Sequence, residues 1–417
     1  MLKKLIFKAV ALMLLIVVIG TKCNNVVAAN PGTIVVPSPE YETIQKAINA
    51  ANPGDVIEVT HGTYYENLMV NKSVSIVGED PANTVIDGGG KGIVVNIIRS
   101  NVVVRGFTIQ NGEQENNLPV SGISVRGNST VVNNTVLRNN YYGLELTNSS
   151  NCRIFNNIIM NSSTAGIHIH AGSNYNVFFQ NTIEDNVIGL YNNYCPPNTF
   201  YHNNFVNNTI QCSVPAPVTL DNGVEGNYWS DYKGSDINLT GVGSPFVTAV
   251  FEDRFPLIGT FTNFTIGYEE QSYFLSTICN SSISNFEFNE SNGKIGFDVI
   301  GCNGTLGFCR IAMPVKLIQN ECVILVEGEV PVLGKNWTVS NYGYRSFVYA
   351  NTGATVKVTV ELRLPQVGTS PPFLVPALIA VSSVTIVLIV ITLARGNLGK
   401  KIRSKFLKRQ SLVSRIY

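Results

Sequence analysis

Residues 121–140 read SGISVRGNSTVVNNTVLRNN, 142–163 read YGLELTNSSNCRIFNNIIMNSS, 165–186 read AGIHIHAGSNYNVFFQNTIEDN and 188–208 read IGLYNNYCPPNTFYHNNFVNN. These are four lines of one repeat. Glycines lead the lines at Gly122, Gly143, Gly166 and Gly189, in steps of 21, 23 and 23 residues. A second marker, Asn134, Asn157, Asn181 and Asn204, steps by 23, 24 and 23. A period of this size, with short alternating apolar stretches and no helical pattern, predicts a parallel β-solenoid. No coil buries its apolar face alone, and stacked coils bring like residues about 4.8 Å apart. The recurring Asn is then expected to form an amide ladder along the stack. A low-complexity, Asn-rich linker would not keep Gly, Asn and aliphatic positions in one phase.

The flanks fix what surrounds the repeat. In 417 residues the formal charge is only +1, so no global field favours nucleic acid. Lys3, Lys4 and Lys8 precede an apolar run from Ala9 to Gly20, and Val27-Ala28-Ala29 forms a small-residue cleavage site. Residues 1–29 therefore read as a secretory signal. An uncleaved anchor is the other reading, and Cys23 is a poor lipoprotein cysteine because Lys22 precedes it. Residues 365–372 form a Pro-bearing linker, and residues 373–394 carry no charge. That stretch spans about 30 Å of hydrocarbon as a helix. The basic tail, 395–417, is expected in the cytoplasm by the positive-inside rule, which puts the rest outside a cell membrane crossed once. Sequons such as Asn71, Asn128, Asn263 and Asn336 agree with an exported glycoprotein. Cys195 with Cys212, and Cys302 with Cys309, are the candidate bridges; Cys152 is expected buried and free.

Ahead of the repeat, Ile44, Ala47, Ile48 and Ala51 recur at helical spacing, and Asn52-Pro53-Gly54 ends the run. This helix is expected to cap the open end of the solenoid. The polar segment from Gln110 to Pro119 breaks the period and reads as a projecting loop. From Phe261 to Leu364 the pattern becomes longer alternating strands separated by turns such as Asn292-Gly293. It predicts a β-sandwich, immunoglobulin-like in form, over residues 260–364, after a β-helix domain over 30–259.

The stretch from Thr43 to Ala51, Pro53-Gly54-Asp55-Val56-Ile57, Gly62-Thr63-Tyr64 and the segment from Val104 to Ile109 resemble the start of pectin-lyase-like right-handed parallel β-helix proteins. Gly226-Asn227-Tyr228-Trp229-Ser230-Asp231-Tyr232, with Asp253-Arg254-Phe255-Pro256-Leu257, resembles the segment that closes the helix in NosD-like proteins with CASH repeats. The resemblance implies an all-β, right-handed β-helix over about Thr33 to Leu257 and a carbohydrate-linked surface role. One departure is that Ser235 to Thr240 holds a single acid, Asp236, so a calcium loop of the usual ligand count is absent.

Candidate chemistry lies on the repeat. Strand alternation puts residues two and four past each marker glycine on one face. One row is Ser124, Glu145, His168 and Tyr191; the next is Arg126, Thr147, His170 and Asn193. Ile123, Leu144, Ile167 and Leu190 then face the core. Arg126, Glu145, His168, Tyr191 and Asn193 are the candidate ligand-binding residues, and an ordinary solvated sheet face is the plainer alternative. His168 and His170 point the same way and are the candidate metal ligands. Glu145 is the one catalytic candidate, but glycoside hydrolysis ordinarily uses two carboxylates. The Asn-Thr-Asp, Asp-Asp and Gly-His-Gly signatures of polygalacturonases are missing. No cofactor is expected. The sequence thus points to a membrane-anchored surface protein that binds carbohydrate or another envelope polymer, or has a structural role. A polysaccharide hydrolase or lyase is the alternative, and copper delivery a third reading.

Overall fold

The computed structural model describes residues 31–362 apart from 114–119, 171, 194, 196, 215–217, 269, 318–321, 330–334, 340–341 and 351–352. The signal segment 1–29, the linker 365–372, the apolar stretch 373–394 and the basic tail lie outside the described residues. Among the described residues, no helix is long and apolar enough to cross a membrane.

The chain winds into a parallel β-helix of about eight turns with three faces. Sheet 1 has eight strands, from Thr33–Val36 to Thr199–Tyr201; sheet 2 has eight, from Gly62–Tyr65 to Tyr228–Trp229; sheet 3 has seven, from Leu68–Val70 to Ile210–Ser213. The alternation in each short strand decides the packing. Ile123, Leu144, Ile167 and Leu190 stand in register on consecutive strands of sheet 3, and all four are fully buried. Aromatic residues stack the same way, with Phe178 and Phe200 4.4 Å apart inside the helix.

The corners are built from asparagine pairs whose members do different work. Asn134, Asn156, Gln180 and His202 hold left-handed backbone (φ 53°, 54°, 59° and 57°) at the turn from sheet 1 to sheet 2. The next residue on each coil turns inward. Asn157, Asn181, Asn203 and Asn227 form the ladder, each amide nitrogen donating to the carbonyl oxygen of the next at 2.9 Å. The expected marker is thus one residue off at both ends. Asn134 is a turn residue, with Thr135 in the ladder column, and Asn203 rather than Asn204 is the ladder member. Shorter ladders, Asn186 to Asn208 and Asn176 to Asn198, occupy the other two corners.

At the start of the stack, the helix Ile44–Ala50 packs against Thr33–Val36, Val56–Val59 and Leu68–Val70. Ile44, Ala47 and Ile48 are buried in the common core. Thr43 caps it through a bond from Lys46 N–H, and the Glu66 carboxylate accepts from the free N–H groups of Ile44 and Gln45 (2.9 and 3.0 Å). At the far end Trp229 stacks on Phe205 at 4.4 Å and donates its indole N–H to Asp253. A Cβ on Gly226 would lie 2.0 Å from that carboxylate, so the position requires glycine.

From Thr260 the chain forms two antiparallel sheets. One has five strands in the order Thr260–Tyr268, Gln271–Cys279, Leu306–Pro314, Tyr342–Ala350, Lys335–Val339; the other has four, Ser282–Asn289, Lys294–Ile300, Val356–Leu362, Cys322–Val326. Their alternating burial leaves Ile295, Phe297 and Val299 inside. Cys152, Cys195, Cys212, Cys279, Cys302 and Cys309 are free thiols. The expected Cys195–Cys212 and Cys302–Cys309 bridges are therefore not formed here: the register sets Cys212 opposite Leu190 and Cys309 opposite Cys279.

Candidate functional site

Sheet 3 brings the predicted rows into register: Ser124, Glu145, His168 and Tyr191 are successive strand partners. Alternation predicted this alignment but not how far the row is covered. Ser124 is fully buried and His168 is 5% exposed, while Glu145 and Tyr191 are half-buried. His168 lies between two phenol rings, 4.4 Å from Tyr142 and stacked at 5.1 Å on Tyr191. Its Nδ1 stands 3.4 Å from Glu145 Oε1, within reach of charge attraction but without hydrogen-bond geometry. Ser121 donates to the other Glu145 oxygen at 3.2 Å. Burial pushes the Glu145 carboxyl up, but His168, Ser121 and Arg126 together hold it below the ordinary carboxylate value. Glu145 is thus an ionised, tethered group rather than a proton donor. Arg126 and His170 are exposed and Asn193 is half-buried, so these three form the accessible rim of the row.

The imidazoles of His168 and His170 are 5.6 Å apart at 84°. Among the described residues, no group of three His, Cys, Asp or Glu side chains could share one ion.

A second concavity, invisible to the sequence reading, lies between the last coils and the antiparallel sheets. It is a cleft of about 500 Å³ lined by Arg153, Phe155, Phe179, Glu225, Phe274 and Tyr344 among others. Phe155, Phe179 and Tyr201 stack on successive strands of sheet 1 at 4.8 and 5.5 Å. The Arg153 guanidinium lies 5.6 and 5.5 Å from the first two ring centres. A polar strut joins the coils to the antiparallel sheets. Glu225 binds His202 Nε2 at 2.7 Å and Arg310 at 2.6 Å, and Arg310 also donates to Thr240 O at 2.8 Å. His202 in turn stacks on Phe261 at 4.1 Å. Burial would raise the Glu225 carboxyl, but its hydrogen bonds and charge interactions with His202 and Arg310 hold it at about 2. One signal for this region was present in the sequence: the left-handed turn column changes from Asn134 and Asn156 to Gln180 and then His202.

No curated protein matches the sequence. Among solved structures, pectin methylesterase from carrot is similar at 15% identity over 49% of this chain and 88% of that one, with a TM-score of 0.33. ORF18 of Geobacillus virus E2 is similar at 14% identity over 78% of this chain and 75% of that one, with a TM-score of 0.38. The tailspike gp49 of Acinetobacter baumannii bacteriophage Fri1, a capsular polysaccharide depolymerase, is similar at 11% identity over 81% and 85%, with a TM-score of 0.31. At these scores the likenesses carry nothing about what this chain binds. The sequence of residues 23–234, half of the chain, matches the family described as periplasmic copper-binding protein (NosD). The chain belongs to the NosD family.

Proposed function

We propose that this NosD-family chain is an extracellular, membrane-anchored protein that binds carbohydrate or another polymer of the cell envelope. In this reading residues 1–29 direct export, 373–394 anchor the chain, and the helix Ile44–Ala50 caps the solenoid. The two antiparallel sheets form an immunoglobulin-like stalk. The observation that carries binding over hydrolysis is the isolation of Glu145. Its contacts are with His168 and Ser121, and neither is a carboxylate. Hydrolysis would use a carboxyl pair about 5 to 10 Å apart.

Copper, named in the family's description, is not built into this reading, because the described residues do not fit a resident ion. The accessible side of sheet 3, with exposed Arg126 and half-buried Tyr191 and Asn193, is the proposed contact surface. A glycan array probed with the full-length protein tests it. Binding that falls on Arg126→Ala or Tyr191→Ala, with the melting point retained, supports the reading. Turnover of a bound glycan that disappears in Glu145→Gln would replace it with the enzyme. Protease shaving of intact cells tests the topology: release of residues 30–372 is expected, and protection of the β-helix would refute it.

A further inference from the structure

The cleft between the coils and the antiparallel sheets contains three kinds of group whose polar or aromatic capacity is not fully used among the described residues. The first is a cation. Arg153 is exposed, rests on Phe155 and Phe179, and has no carboxylate partner among the described residues. Glu225, the cleft's acid, is already committed to Arg310 and His202 and so does not neutralise it. The second is a set of side-chain amides. Those of Asn156, Gln180 and Asn263 line the cleft and make no hydrogen bond among the described residues. Each amide offers both donors and an acceptor. The third is an open aromatic face. Phe155 and Phe179 use their faces on each other. Phe274 is 51% exposed and has no ring partner among the described residues.

A ligand that answers all three carries a carboxylate, several hydroxyls and a flat C–H surface on one ring. Arg presents a fork matched to a carboxylate, amides pair with hydroxyls, and an aromatic face packs on apolar C–H groups. A hydrocarbon acid would leave the amides unanswered, and a neutral sugar would leave Arg153 unanswered. The cleft volume of about 500 Å³ is within the usual range for small-ligand sites. We propose that this cleft binds one acidic, uronate-type sugar residue, with its carboxylate on Arg153 and its ring on Phe274. The proposal rests on the carbohydrate-binding reading above but assigns a second site, away from sheet 3.

The test is calorimetric titration of the full-length protein with glucuronate, and with glucose as its neutral counterpart. Saturable binding of glucuronate is expected, with glucose weaker by about tenfold or more, the scale of one lost charge-assisted bond. Arg153→Ala and Phe274→Ala should each weaken glucuronate by about the same factor. Both side chains are surface-accessible, and unchanged melting of the variants checks that they fold. Tyr191→Ala should leave the titration unchanged. A blank glycan array beside a positive titration supports the cleft and removes the sheet 3 reading. Absence of saturable binding, or binding that survives Arg153→Ala, overturns the proposal. So does peptide mass spectrometry that finds a glycan on Asn263, because the chain's own sugar would then fill the cleft.

Discussion

Replacing Asn181 by alanine tests the physical basis of the coil stack. This side chain is fully buried and makes four hydrogen bonds. Its nitrogen donates to Ile154 O at 2.8 Å and to Asn203 Oδ1 at 2.9 Å. Its oxygen accepts from Asn157 N at 3.1 Å and from Asn157 Nδ2 at 2.9 Å. After truncation, Asn157 Nδ2 keeps Val132 O and Asn203 Oδ1 keeps Asn181 N. The backbone N–H of Asn157 is left buried without its acceptor. One orphaned buried donor costs about 2 kcal/mol, and each of the other three bonds contributes roughly 0.5–1 kcal/mol, for a loss of about 4 kcal/mol. Asn161→Ala is the matched control, since Asn161 is exposed and contributes left-handed backbone at φ 54°. Forcing alanine into that conformation costs about 1 kcal/mol. Urea unfolding should separate the two variants, and hydrogen exchange should show faster loss of the Asn157 amide proton in Asn181→Ala alone. Asn181→Asp should be worse at neutral pH, because a carboxylate would face Asn203 Oδ1 and Ile154 O. It should partly recover in acid, where a protonated carboxyl donates again. An Asn181→Ala variant no less stable than Asn161→Ala would refute the view that the ladder carries the stack.

Glu225→Ala leaves the buried Arg310 without its counter-charge and should cost about 3–5 kcal/mol, read as a lower melting point and faster proteolysis. In the intact protein the Glu225 value of about 2 lies below the ordinary 4.5, so its contribution is complete above pH 4.5 and is lost as pH falls toward 2. Asp253 works in the opposite sense. Burial raises it to about 6 despite bonds from Trp229, Asn227 and Phe255, so folding is favoured while it is protonated. That contribution is present below its unfolded value near 3.8 and fades as pH rises through 6. A stability–pH curve should show this decline between about pH 4 and 6, and Asp253→Asn should remove the slope whatever its baseline. Cys279 and Cys309 are cross-strand partners flanking the bond from Asn280 N to Phe308 O, which makes theirs a non-hydrogen-bonded pair. Such pairs bring Cα atoms to about 4.5 Å, within disulfide reach. With oxidised glutathione as electron and proton acceptor during refolding, peptide mapping should find Cys279 joined to Cys309, with Cys302 alkylated without reduction. A Cys302–Cys309 peptide would refute this register.

The coil period was legible because strand alternation repeats in sequence whatever the corners do. What the sequence could not reveal was which asparagine of each pair points inward. Asn156 and Asn157 are chemically identical neighbours, and only the backbone at φ 54° makes one a turn and the other a ladder rung. The Glu145–His168–Tyr191 row was read in correct register, yet its burial was not foreseen, because cover comes from residues such as Tyr142, whose ring lies 4.4 Å from that of His168. The cleft was hidden for a different reason. Arg153 and Arg310 line one cleft where the coils meet the antiparallel sheets, and no periodicity crosses that junction.

The corner ladders also restrict how such a chain can change length. Rungs follow one another after 22 or 24 residues, and each amide must land on the same corner as the one before. A one-residue insertion within a strand moves its later side chains to the opposite face and takes the next asparagine off its corner. Extra residues are absorbed where a coil bulges outward between corners. A complete added coil brings its own three strands and its own rungs, and it meets the same surface above and below. Growth by duplication of a whole coil is therefore the change this architecture accepts most readily, and related chains should differ in steps of complete coils.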